Sequence, residues 1–227
     1  MSKNIPALAL TNSDFIHAEP AALQDQEFKG SPLLVSTRCH NDEEKIKLIG
    51  HHFKVIMETL GLDLKDDSLK GTPHRVAKMF VKEIFSGLNP DNKPVISLFE
   101  NSYQYHEILV EKNITVYSYC EHHFVPIIGK AHVGYIPNGK VIGLSKINRL
   151  VNYYSKRPQV QERLTSEIAE ALKEALQTDD VAVRIEAVHL CVASRGIQDT
   201  ASSTTTAVYS GKFQEENRKA EFIHLLA

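Results

Sequence analysis

HEILVEKNITVYSYCEHHFVPIIGKAHVGYI, residues 106–136, is the stretch that decides the fold. Its first arm, His106 to Tyr119, is rich in Ile, Val and Tyr, and Phe124 to Ile136 repeats that character after a short interruption. Branched and aromatic side chains suit a pleated, half-buried surface, so two such arms around a brief break predict an antiparallel hairpin. The interruption is Cys120-Glu121-His122-His123. The hairpin turn therefore carries a thiol and two imidazoles.

Toward the C-terminus, Ile147, Leu150, Val151 and Tyr154 mark one helix, and Val160, Leu164, Ile168, Leu172 and Leu176, spaced by four, mark a second. Both should cover one face of the sheet. Val181, Val183, Ile185, Ala187, His189, Cys191 and Ala193 then alternate as in a strand, which would set His189 and Cys191 side by side on one face. After a turn at Arg195-Gly196, the Ser/Thr-rich stretch from Ser202 to Tyr209 reads as a returning strand, and Glu215 to Leu226 as a terminal helix.

Toward the N-terminus, Asn41 and Glu44 have the spacing of a capping box, followed by Ile46, Ile49, Phe53, Ile56 and Leu60 on one stripe and a stop at Gly61. A further helix is expected to take Thr72 as cap and Pro73 in its first turn, to carry Val76, Met79, Phe80 and Ile84, and to end at Gly87. Arg75 lies in its opening turn. Residues 1–40 lack periodicity and read as a mobile or loosely docked arm, with Cys39 an incidental thiol at its end.

The order predicts an α+β chain: a four-stranded antiparallel sheet with two helices on one side, preceded by a helical N-terminal region. The expected division is an arm over 1–40, a helical region over 41–104 and the sheet domain over 105–227. Outer strands expose unpaired backbone groups, so assembly through sheet edges is a natural remedy.

Composition excludes some functions. The 26 Lys and Arg against 28 Asp and Glu give a formal charge of -2, so no general basic field recruits nucleic acid or an anionic membrane. No spanning helix or signal peptide is visible, and a cytoplasmic protein is expected. In a reducing compartment Cys120 and Cys191 are more often metal-binding or catalytic than a disulfide. Thiolate and imidazole together select tetrahedral zinc. If Cys120, His123 and Cys191 hold one ion, the fourth position stays open, as in catalytic sites, and His122 and His189 remain free for proton transfer.

From about Gly71 to Gly211 the chain resembles the bacterial-type GTP cyclohydrolase I family. The matching stretches are Gly71-Thr72-Pro73-His74-Arg75, Cys120-Glu121-His122-His123, Gly143-Leu144-Ser145-Lys146-Ile147-Asn148-Arg149, Gln159-Val160-Gln161-Glu162-Arg163-Leu164-Thr165, and His189-Leu190-Cys191 through Arg195-Gly196 to Ser203-Thr204-Thr205-Thr206. The resemblance implies the tunnelling fold, a homodecamer with active sites at subunit interfaces, and hydrolytic opening of the guanine imidazole ring of GTP. Formate would leave and rearrangement would give 7,8-dihydroneopterin triphosphate, the first step of tetrahydrofolate and pterin synthesis. Residues 1–40 lie outside the useful match.

Carried over residue by residue, the resemblance gives one zinc per subunit on Cys120, His123 and Cys191. It makes His122 the proton donor to the purine ring nitrogen and His189 the donor to the ribose ring oxygen, with Ser145 assisting the sugar rearrangement. Glu162, with Gln161 beside it, would read guanine, because two carboxylate oxygens meet its adjacent N–H donors. Arg75, Lys146, Arg149 and Arg195 would hold the triphosphate. Val192, Ala193 and Ser194 stand where many members carry methionines. Animal members answer to a feedback protein, and no contact for one stands out here. The rival enzyme is a tunnelling-fold nitrile reductase, which lacks this zinc set. A zinc-stabilised assembly protein would not need His122, His189 or Glu162.

Overall fold

Residues 41–227 are described by the computed structural model, and the expectations for the arm over 1–40 and for Cys39 lie outside the described residues. Helix α1 (Asp42–Thr59) starts at the foreseen capping box: the Asn41 side chain accepts from the Glu44 N–H at 3.0 Å, and Glu44 accepts from the Asn41 N–H at 3.1 Å. It stops at Gly61, whose φ of +84° suits glycine, with Gly61 N–H on the Glu58 carbonyl and Leu62 N–H on that of Met57. Those two reversed bonds are a Schellman motif.

Helix α2 (Thr72–Met79) departs from expectation at both ends. Gly71 is its cap, and the Thr72 hydroxyl, already inside the helix, accepts from Arg75 at 2.7 Å. Beyond Met79 the chain widens into a π turn over Phe80–Ile84 and then tightens into a 3-10 turn over Ser86–Leu88. That change of pitch brings Phe80 and Phe85 against Phe124, at ring separations of 6.3 and 5.1 Å. At Gly87 a Cβ would lie 2.1 Å from the Tyr153 carbonyl, so only glycine permits the approach.

The strands are β1 (Leu98–Glu100), β2 (Leu109–Cys120), β3 (Pro126–Tyr135) and β4 (Lys140–Ile142), then, after α3 (Leu144–Ser155), β5 (Pro158–Gln159). Helix α4 (Gln161–Leu176), β6 (Val181–His189), a single helical turn α5 (Leu190–Ala193), β7 (Thr204–Tyr209) and α6 (Glu216–Leu226) complete the chain. The main sheet runs β5-β2-β3-β6-β7. Its four long strands are antiparallel as expected, while the two-residue β5 pairs parallel to Tyr119 and Cys120, and β1 pairs with β4 in a small separate sheet.

Val116, Ala131, Val133, Val183 and Ile185 from the sheet meet Ile147, Leu150 and Val151 of α3 and Leu164, Ile168 and Leu172 of α4 in one buried core. At about 25 cal/mol per Å² of apolar surface removed from water, this layer is the main source of fold stability. The opposite face is covered at one end, where Ala182 and Ile136 pack on Phe213 and Phe222.

One strand reading is corrected. β6 ends at His189, and Cys191 sits in α5, so the two are not neighbours on one strand face. The register places Ile127 opposite His189, so the next partner would be Pro126, the first residue of β3. Proline has no N–H to extend the ladder, and the chain curls instead.

Candidate metal and acid-base site

The site forms at the end of the sheet where β2 stops, β3 starts and β6 stops. Cys120 closes the turn on itself: its N–H donates to the Val125 carbonyl at 2.9 Å, and its carbonyl accepts from Phe124 N–H at 2.8 Å. Phe124 holds φ at +53°, an unfavourable conformation for a bulky residue, and the rings of Phe80 and Phe85 pack against it there. The two histidines between are thereby fixed in direction.

Within this turn Cys120 Sγ lies 3.9 Å from His123 Nδ1, and α5 brings Cys191 in, so that one ligand atom from each of the three lies within 4.8 Å of the others. Tetrahedral zinc with bonds of about 2.0 to 2.3 Å spaces its ligand atoms by about 3.5 Å, so a small contraction completes the set. Both cysteines are free thiols in this structure. Burial and the sulfur of Cys120 push the Cys191 thiol up from its ordinary pKa. Two adjacent thiolates repel each other, and a dication relieves that repulsion, so the donor chemistry fits a metal.

Around the trio, His122 is exposed, with Nδ1 3.7 Å from Cys120 Sγ and Nε2 3.8 Å from Glu121. Arg195 places Nη1 2.9 Å from His123 Nε2. His189, half-buried, meets the Gln161 side chain at 2.7 Å. Burial lowers the His189 pKa, and the nearby Glu162 carboxylate opposes that. Glu162 itself is exposed in the first turn of α4.

Several supporting residues escaped the sequence reading. Glu121 pairs with Arg163, whose Nε donates to Gln159 Oε1 at 3.0 Å; Gln159 donates onward to Glu167 at 2.7 Å. Arg157 lies 3.7 Å from Glu167, with its guanidinium 4.7 Å from the ring centres of both Tyr153 and Tyr154. Charges of alternating sign in a half-buried chain satisfy one another and pin the turn to α4. Glu121, Gln159 and Arg163 stand inside the quoted motifs, which was the available signal.

Other expected residues are not brought to this end. Ser145, Lys146 and Arg149 lie near the start of α3, where Asn148 Nδ2 donates to Glu111 at 3.4 Å. Glu111 sits nine residues before Cys120 on β2, about 30 Å along a strand. That is beyond side-chain reach. Arg75 turns onto its own loop, donating to the Ser68 carbonyl at 2.8 Å. A polar cleft of about 640 Å³ between Asn138, Glu170 and Asp180 is likewise remote from the thiols. Among the described residues, no helix is long and apolar enough to cross a membrane.

Known proteins resemble this chain over most of its length. The sequence model of the GTP cyclohydrolase I family matches residues 49–227. The protein called GTP cyclohydrolase 1 in Flavobacterium johnsoniae is 56% identical over 217 residues, 94% of this chain and 96% of its own length. That alignment extends into residues 1–40, farther than the motifs alone reached. The proteins of that name in Vibrio parahaemolyticus and Photobacterium profundum are 55% and 49% identical, covering 80% and 90% of this chain and 84% and 93% of their own lengths. The chain belongs to the GTP cyclohydrolase I family.

Proposed function

We propose that the chain catalyses the GTP cyclohydrolase I reaction: water adds at carbon 8 of the guanine, the imidazole ring opens, formate leaves, and the ribose carbons close the ring of 7,8-dihydroneopterin triphosphate. The observation that carries this reading is the convergence of Cys120, His123 and Cys191 within 4.8 Å, with His122 3.7 Å from Cys120 and His189 at the end of β6, two residues before Cys191. Metal binding alone has no use for His122 and His189.

Cys120, His123 and Cys191 would hold one zinc per subunit. Zinc, when bound, supplies Lewis-acid activation of water near neutral pH. The chain's own residues do the rest. His122 delivers a proton to the purine ring nitrogen as the imidazole opens, and His189 delivers one to the ribose ring oxygen. Glu162 accepts from the adjacent guanine N–H groups, and Gln161 stands beside it with its side chain buried against His189. Arg195, already at His123, holds triphosphate oxygens together with Arg75, Lys146 and Arg149, while Ser145 assists the sugar rearrangement.

The remoteness of Ser145, Lys146 and Arg149 from the thiols of their own chain supports a site completed by another copy, and hence the tunnelling-fold homodecamer. The arm over 1–40, the helical region over 41–104 and the catalytic domain over 105–227 are the divisions of this proposal, and its setting is the cytoplasm. The test is formate release from GTP by the purified, zinc-loaded protein. Stoichiometric formate with a dihydropterin product is expected; intact GTP would reject the reading.

A further inference from the structure

Gln161 has a different task in the structure from the one its motif suggests. Its side chain is fully buried, with 1% of the residue exposed, and each of its polar atoms is already engaged. Nε2 lies 3.1 Å from the Ile185 carbonyl, 2.9 Å from the Thr204 carbonyl and 3.1 Å from Thr206 Oγ1. Backbone carbonyls only accept, so the edge of the amide facing them must be its NH₂ group. The amide orientation is thus decided by β6 and β7 and not by a ligand.

The other edge follows. Gln161 Oε1 faces His189 Nε2 at 2.7 Å, and a carbonyl oxygen cannot donate, so Nε2 of His189 carries the hydrogen. Thr165 adds a second brace, its hydroxyl 2.7 Å from the Gln161 backbone carbonyl and 2.6 Å from Thr206 Oγ1. A half-buried imidazole is therefore tied through one buried amide to α4, β6 and β7 together.

We infer that Gln161 is a positioning residue: it holds the ring of His189 and fixes its Nε2–H form, leaving Nδ1 as the nitrogen that faces the reaction, and its side chain takes no part in reading guanine. This rests on the reaction proposed above for what His189 does. In that reaction the Nδ1 side of the ring faces the ribose ring oxygen while its Nε2 side stays bonded to Gln161. Thr206, in the Ser/Thr-rich stretch, acquires a role as the brace of that amide.

The experiment is steady-state kinetics of formate release from GTP by the zinc-loaded protein, with zinc content measured for every variant. Gln161→Met should lower kcat about 10- to 100-fold, the usual range for removing the partner that orients a functional histidine, with KM for GTP within about twofold and zinc retained. Thr206→Val should move kcat in the same direction by a smaller factor, and Thr206→Ser should restore it. A tenfold or greater rise in KM at unchanged kcat for Gln161→Met would assign the side chain to guanine and overturn the inference. Should that variant not fold, Thr206→Val with wild-type kcat, or Thr206→Ser as impaired as Thr206→Val, overturns it instead. If the wild type releases no formate, the reaction fails but the positioning claim is still decided by ring ¹⁵N shifts of histidine-labelled protein, assigned by difference from His189→Asn. The Nε2–H form of His189 in the wild type and its loss in Gln161→Met are expected; an Nδ1–H form in the wild type overturns the inference.

Discussion

The two ends of the main sheet differ in kind. At the end where Cys120, Pro126 and His189 meet, sulfur, imidazole, amide and carboxylate groups contact one another, and the backbone tolerates a left-handed Phe124 to hold them. At the other end, where Leu109, Tyr135 and Val181 align, Ser145 and Arg149 stand exposed on α3, and Lys146 is only half-buried. The first end gathers thiols and imidazoles, whereas the second offers cations and a hydroxyl. In the proposed reaction, a substrate that spans both kinds of group would join one end to the other end of a different copy.

The largest effects should come from breaking the first end. Cys120→Ser or Cys191→Ser should lose most of the zinc and more than about a hundredfold in formate release. Full zinc occupancy by elemental analysis in both variants would remove the trio from the account. Somewhat smaller losses, on the order of a hundredfold, are expected for His122→Ala and His189→Ala with zinc retained, whereas His123→Ala should lose metal and activity together. Equal metal loss in all three would erase the distinction between ligand and proton-transfer histidines.

Glu162→Ala should cost about 30-fold or more in kcat/KM for GTP, because a guanine N–H pair is left without its charged acceptor. The unsubstituted protein should strongly prefer GTP to ATP, whose ring offers an acceptor nitrogen at that position. Comparable turnover of both nucleotides would return Glu162 to the role of a solvated helix residue.

Much of this architecture was legible before the structure. Branched and aromatic side chains marked β2 and β3, alternation marked β6, a Ser/Thr-rich stretch marked β7, steps of three and four marked α1, α3 and α4, and Asn41 with Glu44 marked a helix start, because each signal is local. The failures came where a neighbour overrode the pattern. Cys191 continues an alternating series, yet Pro126 on the adjacent strand cannot pair beyond His189, and the chain bends. Thr72 looks like a cap, but Gly71 takes that place while the Thr72 hydroxyl accepts from Arg75. The clustering of Cys120, His123 and Cys191 was readable from residue type, since thiol and imidazole cluster in few other contexts. The bonding of Arg163 to Glu121 and the burial of Gln161 were not, because a motif names residues without saying which atoms already have partners.

Mixed oligomers test most directly whether the two ends serve one centre. Lys146→Ala removes a cation from one end and Cys120→Ser removes the metal set from the other, so each variant alone should be nearly inactive. Coexpressed in equal amounts in one assembly, they should recover about one quarter of wild-type activity per subunit, since random pairing joins an intact metal end to an intact α3 end at about one interface in four. Recovery near that level supports a site shared between copies. No recovery above the sum of the two separate variants, in oligomers verified to contain both chains, would contradict it.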